Sequence, residues 1–552
     1  MDTSTSETFP MKSSEDWRSL QNAAQQELAR RNPNNLLDWS LAYRFFQGKP
    51  MRLIPALQEL YQDTHPFIVI QKAAQVFISE YLINTALWAA DTEQGGRGNA
   101  LYVMPTQIQM DDFSQARLDK AMEESPYLSD RLCPPPPKKS GAARLRLKRI
   151  GQGHLYLRGS DSRRQLSSVD ADVVLLDEFD LMAEGVLELA QKRLASSELG
   201  WLRVASTPRL PEAGINGLFL RSDQRYYFLP CPHCGLAQRL EWDKNVDLKQ
   251  ARIVCGYRKC RKPMDLWVKG EWVPAKPGND VHGYHINRLY SPRANLQAMI
   301  DASDDTTPAG QREFQNSDLG ETFVPPGGQL SYGDLDACRS DYEMPEGWEE
   351  GADMGVDVGS KLNVVIRRRL EEGRTRALFI GEVDSFEELD GLMTRYHVRR
   401  CVVDALPEER AAREFAKRWH RKAWLAYYDR HDGDHQWDKN GEVATVHINR
   451  VEALEEMFDR FHKGVAELPN DARRLGGRIR DGVGEYYRQM TGLSRVLEQN
   501  AQGNWVWRYL DRGKADHYAH AEAYCLLASK HAGMPVFRRE DIERAFGKEV
   551  MT

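Results

Sequence analysis

The sequence predicts an α/β protein of two consecutive sheet domains with a small cysteine module between them. Three observations lead there. From Pro66 to about Arg209, short apolar runs alternate with helical stretches: FIVIQ, NALYVMPT, HLYLRG, DVVLLDE and WLRVAST. A second alternation begins near residue 351 with MGVDVG, VVIRRRL, RALFIGEV, RRCVVDAL and ATVHINR. Between them, four of the chain's eight cysteines fall in two pairs from Cys231 to Cys260. Strands apolar on both faces and separated by helices belong to a parallel sheet covered on both sides.

At 552 residues the chain exceeds what one core supports. The expected order is a disordered or helical lead over 1–40, a first sheet domain over 41–220 and the cysteine module over 225–275. A helical connector over 276–345 with a hinge at Pro325-Pro326-Gly327-Gly328, a second sheet domain over 346–532 and a tail over 533–552 complete it. Apolar spacing in SLQNAAQQELA and LIPALQELYQ predicts helices ahead of the first sheet. CPPPPKKSG reads as a loop.

Composition is that of an ordinary soluble chain, 41% hydrophobic and 28% charged. No window reaches the run of about 20 apolar residues that spans a bilayer, so no membrane association is expected. MDTSTSETFPMKSSED has neither a basic nor an apolar signal region, which predicts a cytoplasmic location. The net charge of −6 confines any nucleic-acid surface to local patches. Candidates are Lys138, Lys139, Arg144, Arg146, Lys148 and Arg149, and later Arg395, Arg399 and Arg400; each run alone reads more readily as a solvated face.

The first domain carries a nucleotide constellation. Asp172-Val173-Val174-Leu175-Leu176-Asp177-Glu178 delivers two acids to the carboxyl end of a buried strand, where open α/β sheets bind ligands. Asp177 suits Mg²⁺ on a nucleotide, and Glu178 suits orientation of an attacking water. About one hundred residues upstream, FIVIQ runs into Lys72-Ala73-Ala74-Gln75-Val76-Phe77-Ile78-Ser79-Glu80. A strand, loop and helix in that order present backbone N–H groups and a helix N-terminus to an anion. Lys72 can neutralise phosphate there, Ser79 can hold Mg²⁺, and Thr207 ends a further strand as a phosphate sensor would. Without these neighbours the acidic strand end reads equally as a solvated turn after a buried strand.

Cys231-Pro-His-Cys234 and Cys255-Gly-Tyr-Arg-Lys-Cys260 supply four thiolates on two knuckles, the set tetrahedral Zn²⁺ takes. Four thiolates leave no open position, so the ion is structural, and His233 is not expected to be a ligand. The second domain supplies Asp357 within a strand between Gly355 and Gly359, Asp404 at the end of the strand CVVD, and Asp516 opening the helix DHYAHAEAYCLLAS. Three acids on two strands and a helix start suit Mg²⁺ or Mn²⁺ in phosphodiester cleavage. Glu522, on the same helix, could share or replace Asp516, which singly reads as a helix cap.

In order and spacing, LYVMPTQIQ, GSDSRRQLSSVDADVVLLDEFD and ASTPRL, with the lysine at the start of the loop, resemble the large subunits of lambda-type phage DNA-packaging terminases. VHINRVEALEEMF, GEYYRQMTGLSRVLE and RGKADHYAHAEAY resemble the nuclease domain of that family. The likeness covers about residues 40–530. It implies a P-loop-type ATPase domain with a zinc-ribbon-like insert, then a ribonuclease-H-like nuclease domain. It further implies an enzyme that moves double-stranded DNA into a procapsid and cuts concatemers, in the host cytoplasm. The implied partners are a small subunit, a portal and further copies of the same chain. In the family, Gln75 stands where an arginine sometimes contacts nucleotide, and Tyr43, Phe45, Phe46 and Arg52 fall where adenine binds. Phe77 replaces the family's loop glycine, which predicts weak ATP binding or altered loop geometry. Two alternatives stay open: a nuclease carried on an inactive ATPase-like docking module, and a repair helicase-nuclease.

Overall fold

The computed structural model describes residues 35–46, 48–131, 146–429, 435–438, 441–499, 505–511 and 515–530. The chain divides into two compact units, Met1–Phe323 and Val324–Thr552. The first helical segment of the expected lead, the CPPPPKKSG loop, Lys138, Lys139, Arg144 and the tail lie outside the described residues.

In the first unit, α1 (Leu36–Tyr43) and α2 (Pro55–Gln62) precede β1 (Phe67–Lys72) and α3 (Ile78–Asp91). Asn35 caps α1 by accepting from Asp38 N, and Pro55 opens α2, where its missing N–H costs nothing. Next come β2 (Asn99–Met104), β3 (Leu147–Ile150), β4 (Gly153–Gly159), β5 (Val173–Asp177) and β6 (Trp201–Ser206). Then follow α4 (Gly214–Leu220), β7 (Arg225–Pro230), β8 (Ala237–Arg239), β9 (Glu271–Pro274) and β10 (His282–Ile286). The sheet order is β8-β7-β10-β1-β6-β5-β2-β4-β3, with β9 also paired to β7. From β7 to β4 the neighbours are parallel, while β3, β8 and β9 pair antiparallel at the margins. β5 and β6 are buried along their whole length and stand mid-sheet; the apolar run Val173–Leu176 demands this of β5, whereas β6 also buries Arg203.

The expected connector over 276–345 is corrected by this sheet. Residues 282–286 form β10, an interior strand between β7 and β1, and the first unit continues to Phe323. The five residues HGYHI contain no apolar run, yet all but His282 are buried; tertiary pairing overrides the local pattern. The cysteine module is likewise not separate, since its flanking strands β7 and β9 belong to the same sheet.

The second unit contains β11 (Ala352–Val358), β12 (Leu362–Arg369), β13 (Thr375–Val383), β14 (Val398–Asp404) and β15 (Ala423–Asp429). It continues with β16 (Gln436–Asp438), β17 (Thr445–Asn449), β18 (Ala466–Glu467) and the closing helix α5 (His517–Lys530). The order is β16-β17-β15-β14-β11-β12-β13-β18. An antiparallel meander, β11 to β13, is extended from β11 by the parallel strands β14, β15 and β17. This is a ribonuclease-H-like sheet. β11 is buried throughout and α5 lies across it. The room that Gly355 leaves is filled by backbone: an added Cβ would collide with Ala521 O and Cys525 N of α5.

Gly355→Val is therefore expected to lose at least about 3 kcal/mol of stability in the second unit, because helix backbone cannot move aside as a side chain can. Thermal unfolding of the purified variant checks this; an unchanged transition would mean that α5 does not seat on β11.

Candidate functional sites

β1 ends at Lys72, the chain turns, and α3 begins at Ile78. The turn and helix start line a cavity of about 510 Å³, together with Phe45, Phe46, Glu178 and Thr207. Of the nucleotide residues expected from sequence, Lys72, Gln75, Ser79, Glu178 and Thr207 share this one cavity. The first N–H groups of α3 have no intrahelical partner and form the anion-binding end of the helix.

Two residues of the turn adopt backbone that L-residues resist. Gln75 has φ 58° and Phe77 has φ 65°, ψ 14°, both left-handed. Phe77 thus occupies the conformation that a loop glycine would supply. The turn is fixed from outside: Ala73 N donates to Ile286 O at 2.9 Å and Ala74 N to Ser317 O at 2.7 Å. Gln71 Nε2 donates to Gly320 O at 2.7 Å. Arg288 donates to the Gln75 side chain at 2.9 Å and to Asp318 at 2.6 Å.

Lys72 is buried, and its Nζ lies 2.7 Å from Glu178 Oε1. Burial depresses its pKa, but the Glu178 and Asp177 carboxylates more than reverse this and hold the ammonium above the usual lysine range. Asp177 is also buried. Tyr102 OH donates to its Oδ2 at 2.8 Å, while Oδ1 has no hydrogen-bond partner. A buried carboxylate oxygen without a donor is open to a cation or a water molecule. Glu178 is itself left-handed at φ 60°. Asp180 then ties this strand end to the segment after β6. It accepts from Arg209 N at 2.9 Å and Ile215 N at 2.6 Å, and burial pushes its carboxyl up to about 6.

The aromatic expectations divide. Phe45 and Phe46 line the cavity, whereas Tyr43 stacks on Tyr127 at 3.8 Å and Arg52 lies over Trp267. Among the basic candidates, Arg146 pairs with Asp111 and Lys148 with Asp119, so neither offers free charge. Sequence reasoning missed Arg44, Arg117, Lys120, Arg288 and Arg293, all of which line the cavity. The last two follow β10, in the stretch read as connector, and no motif marks them.

The four expected cysteines converge. Their Sγ atoms all lie within 4.8 Å of one another, with Cys231–Cys260 at 3.8 Å and Cys234–Cys255 at 3.7 Å. With metal–sulfur bonds of about 2.3 Å, the edge of a tetrahedron is about 3.8 Å. Gln238 Nε2 donates to Cys255 Sγ at 3.2 Å.

In the second unit Val356 pairs with Val403 on parallel strands, so the following residues, Asp357 and Asp404, stand side by side. Burial, with the Asp357 charge added, raises Asp404 to about 6. Asp516 precedes α5, with His520 Nε2 at 3.1 Å and Arg450 at 3.7 Å from its carboxylate. Burial opposes ionisation of Asp516, yet these partners hold its pKa below the usual range. His517 Nδ1 lies 2.8 Å from Asp357 Oδ2, and this hydrogen bond raises the imidazole pKa. The three acids share one end of the sheet but do not form a tight cage; among the described residues only the cysteines do. Glu522 has surroundings unlike those of Asp516. It is buried and clamped by Arg367 through two contacts of 2.7 Å, with Tyr486 OH at 2.6 Å. Six residues along the helix separate Glu522 from Asp516 by about 9 Å.

A strand–loop–helix with a buried lysine beside a two-acid strand end has the layout of a P-loop-type ATPase domain, and a ribonuclease-H-like sheet follows it in the second unit. Residues 52–273 match the family model described as phage terminase large subunit gpA, ATPase domain. That stretch of the chain is similar to a phage terminase ATPase domain. No curated protein matches it in sequence. Among solved structures it is similar in fold to the HK97 bacteriophage large terminase, at 12% identity, 90% of this chain, 99% of that one and a TM-score of 0.53. Looser likenesses are the large terminase of a thermophilic bacteriophage (13% identity, 84% and 93% coverage, TM-score 0.30) and the large terminase nuclease of thermophilic phage G20c (15%, 36% and 96%, TM-score 0.23).

Removing one partner of the Arg367–Glu522 pair leaves a buried charge alone, so Glu522→Ala should cost about 3–5 kcal/mol of stability. Asp516→Ala, at the other end of the helix, should cost far less. Equal losses measured by denaturant unfolding would contradict this division of labour.

Proposed function

We propose that this chain hydrolyses ATP in the first-unit cavity to drive double-stranded DNA into a procapsid, and cuts concatemeric DNA with the acids of the second unit. The observation that carries the reading is the meeting of Lys72, the turn before α3 and Glu178 at one cavity, with Asp177 buried next to Glu178, within the residues that match a terminase ATPase domain. Lys72 and the N-terminal N–H groups of α3 would bind phosphate. Ser79 and the unpartnered Asp177 oxygen suit Mg²⁺ carried by the nucleotide. Glu178, released from Lys72 when phosphate takes its place, would orient the attacking water.

In the second unit, Asp357 and Asp404 would hold a divalent cation, Mg²⁺ or Mn²⁺, with Asp516 alongside. The donor set fits, because two adjacent carboxylates, one buried and one half-buried, repel each other and gain from a shared cation. Such an ion supplies an activated water and stabilises the leaving oxygen. His517 orients the Asp357 carboxylate from 2.8 Å. The cysteine set fits structural zinc by its sulfur–sulfur distances. A small subunit, a portal and a ring of copies are the partners this reading requires, in the host cytoplasm. Among the described residues no helix is long and apolar enough to cross a membrane.

The inactive-motor alternative rested on Phe77, and the turn around Phe77 nonetheless keeps the left-handed backbone that a cradle needs. The helicase alternative needs a second motor-like sheet, and the second unit instead opens with an antiparallel meander.

The two activities should separate. Glu178→Ala is expected to lower DNA-stimulated ATP hydrolysis by at least about 100-fold and leave DNA cleavage in place. Asp357→Asn is expected to do the reverse, read on a supercoiled plasmid with Mg²⁺ or Mn²⁺. Wild-type protein that hydrolyses no ATP with DNA present would refute the motor. Metal analysis is expected to find zinc that is lost in Cys255→Ser, with a less stable first unit; zinc retained by that variant would rule out the four-cysteine site.

A further inference from the structure

Six cationic side chains line the first-unit cavity: Arg44, Lys72, Arg117, Lys120, Arg288 and Arg293. Five are answered by acids. Arg44 and Arg117 share Glu80, Lys72 pairs with Glu178, Lys120 with Glu124 and Arg288 with Asp318. Arg293 has no acid within 4.0 Å among the described residues. Its neighbours are two aromatic rings, with Phe46 at 5.2 Å and Phe77 at 5.5 Å from the guanidinium carbon to the ring centroid.

This combination has a chemical meaning. A guanidinium over aromatic rings is held by cation–π attraction that uses its faces and none of its hydrogen-bonding capacity. Its five N–H donors lie in the plane of the group and stay available at its edge. An arginine held in this way beside a phosphate-type turn, with no acid to satisfy it, is a forked donor for phosphate oxygens. The rings that hold it come from two places expected to matter for nucleotide: Phe46, ahead of the sheet, and Phe77, in the turn itself.

We propose that Arg293 is a nucleotide-contacting residue that binds the phosphate tail of ATP, held in place by stacking on Phe46 and Phe77. On this account Phe77 is a working part of the site. The turn forgoes glycine, Phe77 accepts left-handed backbone, and its ring braces the arginine. Arg288 performs a companion task for the other left-handed residue by holding the Gln75 side chain to Asp318. The inference rests on the cavity being an ATP site, as proposed above.

The test uses the full chain and a fluorescent ATP analogue, with steady-state ATPase alongside. Arg293→Gln should raise the nucleotide Kd by about tenfold or more, the scale of losing charge-assisted hydrogen bonds. Arg293→Lys should fall between, because an ammonium keeps charge but loses the planar fork. Phe77→Gly should weaken binding as well, and its thermal transition should stay at or above the wild-type value once the strained φ is relieved. Two results would overturn the proposal: unchanged Kd and kcat/KM in Arg293→Gln, or tighter binding and faster turnover in Phe77→Gly. If Lys72→Ala abolishes binding while Arg293→Gln keeps it, the cavity reading stands and the role of Arg293 falls. Wild-type protein that binds no nucleotide removes both.

Discussion

The parallel pairing of β10 with β1 is the constraint on which the turn before α3 and its cavity depend. It brings Ile286 beside Lys72, and the chain that follows lies over the turn, where Ser317 and Gly320 take up its backbone and side-chain donors. Contact is so close that a Cβ on Gly320 would sit 2.7 Å from Ala73 N. Two non-glycine residues with positive φ cost roughly 1–2 kcal/mol each. Such a turn persists only where its surroundings determine it more strongly than its own preferences do. Here the determinants are far away in sequence and a hydrogen bond away in space.

Both units place acids at the ends of buried strands and manage the resulting charge differently. In the first, an ammonium answers the acid: Lys72 holds Glu178. In the second, imidazoles do so, His517 at Asp357 and His520 at Asp516, while burial, with the Asp357 charge added, pushes Asp404 toward neutrality. Each arrangement stabilises an otherwise self-repelling group with a partner that an incoming cation or anion can displace. The buried Arg367–Glu522 pair is the contrasting case, an ion pair walled in by tyrosine and helix where no ligand is needed.

Much of this was legible in the sequence. The continuous apolar runs ending in Asp177 and Asp404 announced interior strands, because an apolar succession that stops at a carboxylate suits a buried strand and little else. The cysteine pairs announced their own convergence. What was not legible follows from physics that acts at a distance. β10 has no apolar run, so only its neighbours reveal it as a strand. Glu522 looked like a ligand because helix periodicity cannot report that Arg367, on β12, waits opposite it. The role of Phe77 could not be read from its type, since a residue's φ is imposed by what surrounds it. Arg288 and Arg293 lay in a stretch with no motif, and only their place around the turn distinguishes them from other surface arginines.

The excursion that carries the cysteines leaves from β7 and returns on β9, where Phe228 faces Glu271 across a single antiparallel ladder. Its two ends are therefore fixed side by side by the sheet, whatever lies between them. Insertions at such a gate change loop-closure entropy only slowly with length. The position is consequently a socket in the architecture: a longer or shorter module inserted there leaves the register of every interior strand as it is.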